Sequence, residues 1–263
     1  MASPAHSLLE TVTRRAAVIE RLSGGLRDKR ELTEGLDVSR QTVDRAVREL
    51  ESVAIVERTD EGYRLTLVGE LAYREFESLL TAYERLCLAR DLLVHLPPDT
   101  RIDTDVLAGA TVVHADHRFP RESARELERL VEGADSLVGY SPIAVPEYVS
   151  LFHHQVTRTD TEIELFLDEP LIERLVSGYT EELREAFSAP NFTMFRLSES
   201  LCPNMGIALA DGSSVWIGVY DDTGNIRGAI TTEADAAVAW ARDRLEACRE
   251  NGQEVPSNSA ANE

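Results

Sequence analysis

The chain has 263 residues with 47 acidic and 27 basic side chains, giving a net charge of −20. That length suits two modest domains, each able to bury a core without staples, and the acid excess counts against a protein that coats nucleic acid by bulk positive charge. Three cysteines (Cys87, Cys202, Cys248) form no C-x-x-C pair, which argues for reduced thiols in a cytoplasmic protein and leaves redox sensing by one of them open.

In chain order, residues 1–6 are expected to fray. Residues 7–22 (SLLETVTRRAAVIERL) predict a helix with Leu8, Val12, Ala16 and Ile19 inward, stopped by Ser23-Gly24-Gly25. Residues 28–36 read as a short helix ending at 35–37. The next stretch, residues 37–50 (DVSRQTVDRAVREL), organises the N-terminal region. Ser39 suits a helix N-cap, and Val43, Ala46, Val47 and Leu50 recur at helical steps to form one apolar stripe. Arg40, Gln41, Asp44, Arg45 and Arg48 fall on the opposite face. Residues 55–58 and 63–66 flank a turn at 59–62 and read as a two-stranded ribbon bearing Arg58 and Arg64. Helix, turn, capped helix and ribbon is the plan of a winged helix-turn-helix, whose second helix enters the major groove of double-stranded DNA.

The candidate DNA-binding set is Ser39, Arg40, Gln41, Thr42, Arg45, Arg48, Arg58 and Arg64. A three-helix bundle with solvated charges is the plainer alternative, but it leaves the S-R-Q-T start and the basic wing unexplained. The charge distribution answers the objection from net charge. Residues 1–65 carry 11 basic and 12 acidic side chains, against 16 and 35 in the remainder.

Residues 67–94 hold an unbroken helical stripe, Val68, Leu71, Ala72, Phe76, Leu79, Tyr83 and Leu86, that suits either a dimer seam or packing on the C-terminal domain. Pro97-Pro98 marks a boundary. Beyond it, strands are predicted at 110–114, 136–140, 162–167, 192–197, 205–210, 215–220 and 226–230. Helices are predicted at 121–132, 147–157, 170–187 and 233–249. This alternation predicts a mainly parallel α/β sheet finished by an antiparallel meander. The fold class is therefore α/β: a winged helix-turn-helix (1–66), a linker or dimerisation helix (67–96), an α/β sensor domain (97–250) and a disordered tail (251–263). No signal peptide and no apolar run of about 18 residues occurs, so neither secretion nor membrane spanning is expected.

The segments YSPIAVPEYVSLFHHQV, TEIELFLDEPLIERLV and IALADGSSVWIGVYDDTGNIRGAITTEADAAVAWARDRLEACR follow a winged helix. Over roughly residues 10–250 this order resembles archaeal regulators of the methanogenesis-regulator middle-domain type. That domain is in turn similar to the phospholipase-D-like half domain of TrmB-type sugar-sensing regulators. Lysine occurs once, at Lys29, so 26 of the 27 basic residues are Arg. High acid content with Arg in place of Lys resembles proteins of salt-rich haloarchaeal cytoplasm. The resemblance implies a cytoplasmic, dimeric, promoter-binding protein whose C-terminal domain senses an effector.

Phospholipase-D chemistry needs a His and a Lys in one H-x-K motif, and Lys29 lies in the winged helix, so no enzyme is expected. No cofactor-binding glycine motif occurs either. The run His114-Ala115-Asp116-His117 is too short a match to assign a metal. His153 and His154 are adjacent on a helix, about 100° apart, and cannot easily share one ion. Trp216, Gly218 and Tyr220 alternate on a strand in a pattern read as core packing. Ligands of parallel α/β sheets bind at the carboxyl ends of strands, which would gather His117, Arg118, Tyr140 and Ser141 on one rim as candidate effector contacts. The function expected is a sequence-specific DNA-binding transcriptional regulator. An adaptor using the winged helix for protein contacts, or a phosphodiesterase-like enzyme, are the alternatives.

Overall fold

The first helix, α1 (Pro4–Ser23), starts ahead of the apolar pattern because Ser3 caps it. The Ser3 hydroxyl accepts from the His6 N–H at 3.2 Å, and Pro4 occupies the first turn, where its missing N–H costs nothing. The structure, a computed structural model, describes residues 3–115, 122–143 and 145–256. It divides into two units, Met1–Glu84 and Arg85–Glu263.

In the first unit, α2 (Lys29–Leu36) begins with a reciprocal capping box. Glu31 N–H donates to Asp28 and Asp28 N–H donates to Glu31, both at 2.8 Å. Asp37 then takes a left-handed conformation, φ 50°, and turns the chain into α3 (Arg40–Ser52). As the stripe predicts, Val43, Ala46, Val47 and Leu50 are buried, packed with Val12, Ile19, Leu22 and Leu32. The ribbon is β1 (Val56–Arg58) paired antiparallel to β2 (Tyr63–Leu65). Arg27 adds an isolated antiparallel bridge to Tyr63, a contact that local patterning does not reveal. Helix α4 (Leu67–Leu93) packs Ala72, Tyr73 and Phe76 on this core. Gly69 is required at its start, since a β-carbon there would overlap the Ile55 carbonyl.

The second unit is built on one eight-stranded sheet with helices on both faces. The chain runs β3 (Thr111–His114), α5 (Glu122–Glu132), β4 (Ser136–Ser141), α6 (Pro146–Arg158), β5 (Glu162–Asp168), α7 (Glu169–Gly178) and α8 (Thr180–Phe187). It continues with β6 (Phe192–Leu197), β7 (Met205–Ala210), β8 (Ser214–Tyr220), β9 (Ile226–Thr232), α9 (Asp235–Asn251) and β10 (Gln253–Glu254). The strand order is β10-β6-β5-β4-β7-β8-β9-β3. The protein is thus an α/β protein, with an N-terminal winged helix-turn-helix, a long helix and a C-terminal mixed sheet.

Four expectations are corrected. The sheet is mainly antiparallel, because among the described residues only β4–β5 and β5–β6 pair in parallel. Strand β3 lies at the far edge, antiparallel to β9, and its end does not join that of β4 on one rim. Its physical reason is burial: β3 is exposed at both ends and half-buried between, which suits an edge, whereas β7 is buried along its whole length and takes the centre. The helix expected over 170–187 is two, broken at Tyr179 after Gly178. The tail is not structureless from 251: β10 pairs with β6, and Val255 is buried against Leu171 and Met194.

Side chains alternate across the sheet. On β8, Val215, Ile217 and Val219 join the core under α9, to which Ala89 and Leu92 of α4 also belong. Trp216 and Tyr220 face the opposite core, under α5, α6 and α8.

Candidate nucleic-acid interface and a buried cavity

Helix α3 presents Arg40, Gln41, Arg45 and Arg48 to solvent. Two of its three acids, Asp44 and Glu49, are drawn backwards instead. Asp44 pairs with Lys29 on α2, which holds its carboxyl below the usual range. Glu49 accepts from Arg15 Nε at 2.9 Å and Nη2 at 2.7 Å, and pairs with Arg14 at 2.7 Å. Those guanidinium groups likewise lower its carboxyl pKa, the Arg15 hydrogen bond most. Among the described residues, Arg40, Arg45 and Arg48 have no such carboxylate partner, so the exposed ridge is cationic. Gln41, Arg45 and Arg48 stand at i, i+4 and i+7, along one helix face.

Ser39 and Thr42 are also exposed, but their hydroxyls serve the cap. Ser39 Oγ accepts from Thr42 N–H at 3.2 Å and hydrogen-bonds Thr42 Oγ1 at 2.9 Å. In the wing, Arg64 donates from Nε to Glu57 Oε1 at 2.6 Å, directly across the ribbon. Sequence reasoning placed Arg64 on phosphate and overlooked Glu57, although the ribbon register pairs the two. Arg58 is exposed, with no ion pair among the described residues.

The expected effector rim is only partly assembled. His117 and Arg118 lie outside the described residues. The carboxyl end of β3, at His114, is four strand intervals from β4, about 19 Å at ~4.8 Å per interval. The ends of β3 and β4 therefore do not meet. Tyr140 and Ser141 do sit together at the end of β4. Tyr140 Oη hydrogen-bonds Ser200 Oγ at 2.7 Å and donates to the Cys202 carbonyl at 3.3 Å. Burial pushes the Tyr140 hydroxyl and the nearby Asp168 carboxyl above their usual values, and Asp168 Oδ1 is buried without a partner. Among the described residues, no group of three or more His, Cys, Asp or Glu could hold a metal ion. His153 hydrogen-bonds Glu185 at 2.8 Å, while His154 faces solvent.

The other face of the sheet holds what sequence reasoning missed. Between β4, β7, β8 and helices α6–α8 lies a cavity of about 90 Å³, with Ser141, Tyr148, Phe152, Ala208, Trp216 and Tyr220 in its wall. Trp216 swings across Gly218, where any β-carbon would overlap the indole ring, so Gly218 makes room for it. Tyr148 meets Trp216 edge to face, ring centroids 6.1 Å apart. Tyr148 and Trp216 are 6% and 2% exposed, yet Tyr148 Oη and Trp216 Nε1 have no hydrogen-bond partner. Burial raises the Tyr148 hydroxyl pKa, so the group stays a neutral donor. The W-x-G-x-Y alternation was the available signal. Nothing in its local pattern distinguishes a cavity wall from solid core.

Residues 120–251 match the family model described as methanogenesis regulatory protein FilR1, middle domain, and residues 5–86 match the HVO_A0261 N-terminal domain. The methanogenesis regulatory protein FilR1 of Methanothrix harundinacea (strain 6Ac) is 22% identical over 223 residues, 81% of this chain and 50% of that protein. The chain thus spans about half the length of this curated relative. Among solved structures, TrmBL2, an archaeal chromatin protein with a novel mode of DNA binding, aligns at TM-score 0.40 and 13% identity, covering 94% of this chain and 98% of that one. Nuc, a phospholipase D family member from Salmonella typhimurium, aligns at TM-score 0.42 and 13% identity over 56% of this chain and 97% of its own. Both structural likenesses are distant. The FilR1 middle-domain model, by contrast, covers half of the sequence, and the chain belongs to that family.

Proposed function

We propose that this protein is a DNA-binding transcriptional regulator, in which residues 1–66 read promoter DNA and residues 97–250 sense a small-molecule effector. One observation carries the reading: α3 turns Asp44 and Glu49 inward to Lys29, Arg14 and Arg15 and leaves Arg40, Arg45 and Arg48 facing outward. A helix arranged in this way can donate to phosphate and to base edges. The regulatory name of the M. harundinacea relative supports the same reading. The protein acts by binding rather than catalysis, since its one lysine is engaged with Asp44 and no H-x-K motif exists. No helix among the described residues is long and apolar enough to cross a membrane.

The working form is a homodimer joined along α4 in a salt-rich cytoplasm. The charge split supports the second part. Residues 66–263 carry 35 acidic and 16 basic side chains, and cations must screen that charge from DNA. Screening reaches only about 3 Å at 1 M salt.

Footprinting the full-length chain across genomic fragments tests the function directly. Discrete protected sites are expected, and uniform or absent protection would overturn the reading. Titrating one such site in potassium chloride gives a second expectation. Ordinary binders lose affinity steeply as counterions are released. Here affinity is expected to stay flat or rise between moderate and molar salt, and a steep fall would remove the role assigned to the acidic body.

A further inference from the structure

We propose that the cavity between the sheet and α6–α8 is the effector site. Its ligand is a neutral, mostly apolar molecule of about four or five heavy atoms bearing one hydrogen-bond acceptor, such as a ketone oxygen. The word effector rests on the sensor reading above; the cavity and its ligand class rest on the wall itself. The volume, about 90 Å³, is well above the ~10–15 Å³ that admits one water and below the ~150 Å³ of an apolar cavity that takes benzene. That bounds the ligand from both sides.

The wall then selects its chemistry. Most of it is aliphatic and aromatic, contributed by residues such as Phe152, Leu165, Leu171 and Leu183, and such a wall favours apolar surface over water. Tyr148 and Trp216 interrupt it with unpartnered donors, beside the polar side chains of Ser141, Tyr220, His153 and Glu182. An indole N–H can only donate, and Trp216 Nε1 is buried and unpartnered, as is Tyr148 Oη. A buried donor left unmade is costly, so a ligand acceptor facing either one relieves a strain that the empty protein bears. Among the described residues no Arg or Lys lines the cavity. An anion would therefore lose its hydration without a counter-charge. A sugar fares no better, because a hexose has roughly twice the heavy atoms that so small a volume holds.

The test uses the full-length protein with Trp240→Phe, which leaves Trp216 as the single tryptophan of the two in the chain. Butanone is the probe and glucose the control. Butanone is expected to change Trp216 emission saturably, with a dissociation constant on the order of 1 mM for so few atoms. Glucose is expected to leave the emission unchanged. Tyr148→Phe is expected to weaken binding roughly fivefold or more through the lost hydrogen bond. Ala208→Val, which fills the wall, is expected to abolish it. Circular dichroism checks that both variants are folded, and either one suffices if the other is not. A linear, unsaturable response, an equal response to glucose, or full binding by folded Ala208→Val would overturn the proposal. A saturable response in a protein that footprints no DNA would support the cavity assignment and remove only the regulator reading. A footprint with no saturable response would overturn the assignment and leave the regulator standing.

Discussion

Replacing Arg40 by Ala is expected to cost about 1–3 kcal/mol against the preferred base at one operator position and to relax discrimination there. The expectation follows from placement. Arg40 opens α3 just beyond the Ser39 cap, exposed and without an ion pair among the described residues. The first residues of a recognition helix are those that reach base edges. Arg suits guanine, and the adjacent Gln41 suits adenine. Arg45 and Arg48 lie further along the helix and are better placed for phosphate. Arg48→Ala should therefore weaken every sequence alike, leaving preference intact. Arg64→Ala should do little, because Arg64 is engaged with Glu57, and exposed pairs of that kind are worth only about 0–1 kcal/mol. Fluorescence anisotropy on one operator and its single-base variants separates these outcomes. If Arg40→Ala lowered affinity equally for every variant, Arg40 would be a phosphate contact and the base-reading assignment would be wrong.

Leu79→Glu is expected to split the dimer. Eight of the eleven large apolar side chains left exposed among the described residues lie on α4: Leu67, Val68, Leu71, Leu79, Leu80, Tyr83, Leu86 and Leu88. Scattered exposed leucines need no explanation, but five of these eight, Val68, Leu71, Leu79, Tyr83 and Leu86, fall on one side of the helix and form a patch of the kind that marks an interface. Leu79, Tyr83 and Leu86 share a face at i, i+4 and i+7 and are 40%, 60% and 38% exposed. A carboxylate placed at Leu79 would be buried without a partner, costing about 3 kcal/mol or more, over a hundredfold in dissociation constant. Light scattering at molar salt should give twice 29.2 kDa for the parent and 29.2 kDa for the variant. A monomeric parent would end the idea.

What the sequence reveals about this protein follows from how local each signal is. The winged helix is legible because its evidence lies within one turn or one helix. Ser39 caps α3, the stripe from Val43 to Leu50 becomes its buried face, and the turn at 59–62 sets the ribbon. Strand positions in the C-terminal sheet were legible for the same reason. Their order was not, since β3 and β4 each look like strands and nothing nearby says that β7, β8 and β9 intervene. The expectation of a mainly parallel sheet then put the ends of β3 and β4 on one rim, which the strand order separates. Tyr140 and Ser141 were singled out for that rim, and both line the cavity instead. Tyr148 was not singled out and Trp216 was read as core packing, because their roles depend on α6 and β8 meeting over the sheet. A single buried Val255 was enough to dock the tail, and one apolar residue leaves no periodicity to detect.

The central claim is that α3 enters the major groove, once for each half of a two-fold operator. Directed cleavage tests it. Cys87 is exposed while Cys202 and Cys248 are buried, so Gln41→Cys in a Cys87→Ser background offers one reactive thiol for a tethered iron chelate. The account predicts two narrow clusters of cuts on a footprinted operator, in the major groove and roughly 34–36 Å apart, about one helical turn. Cutting spread evenly along the DNA, or confined to a site nearer the wing than the groove, would contradict it.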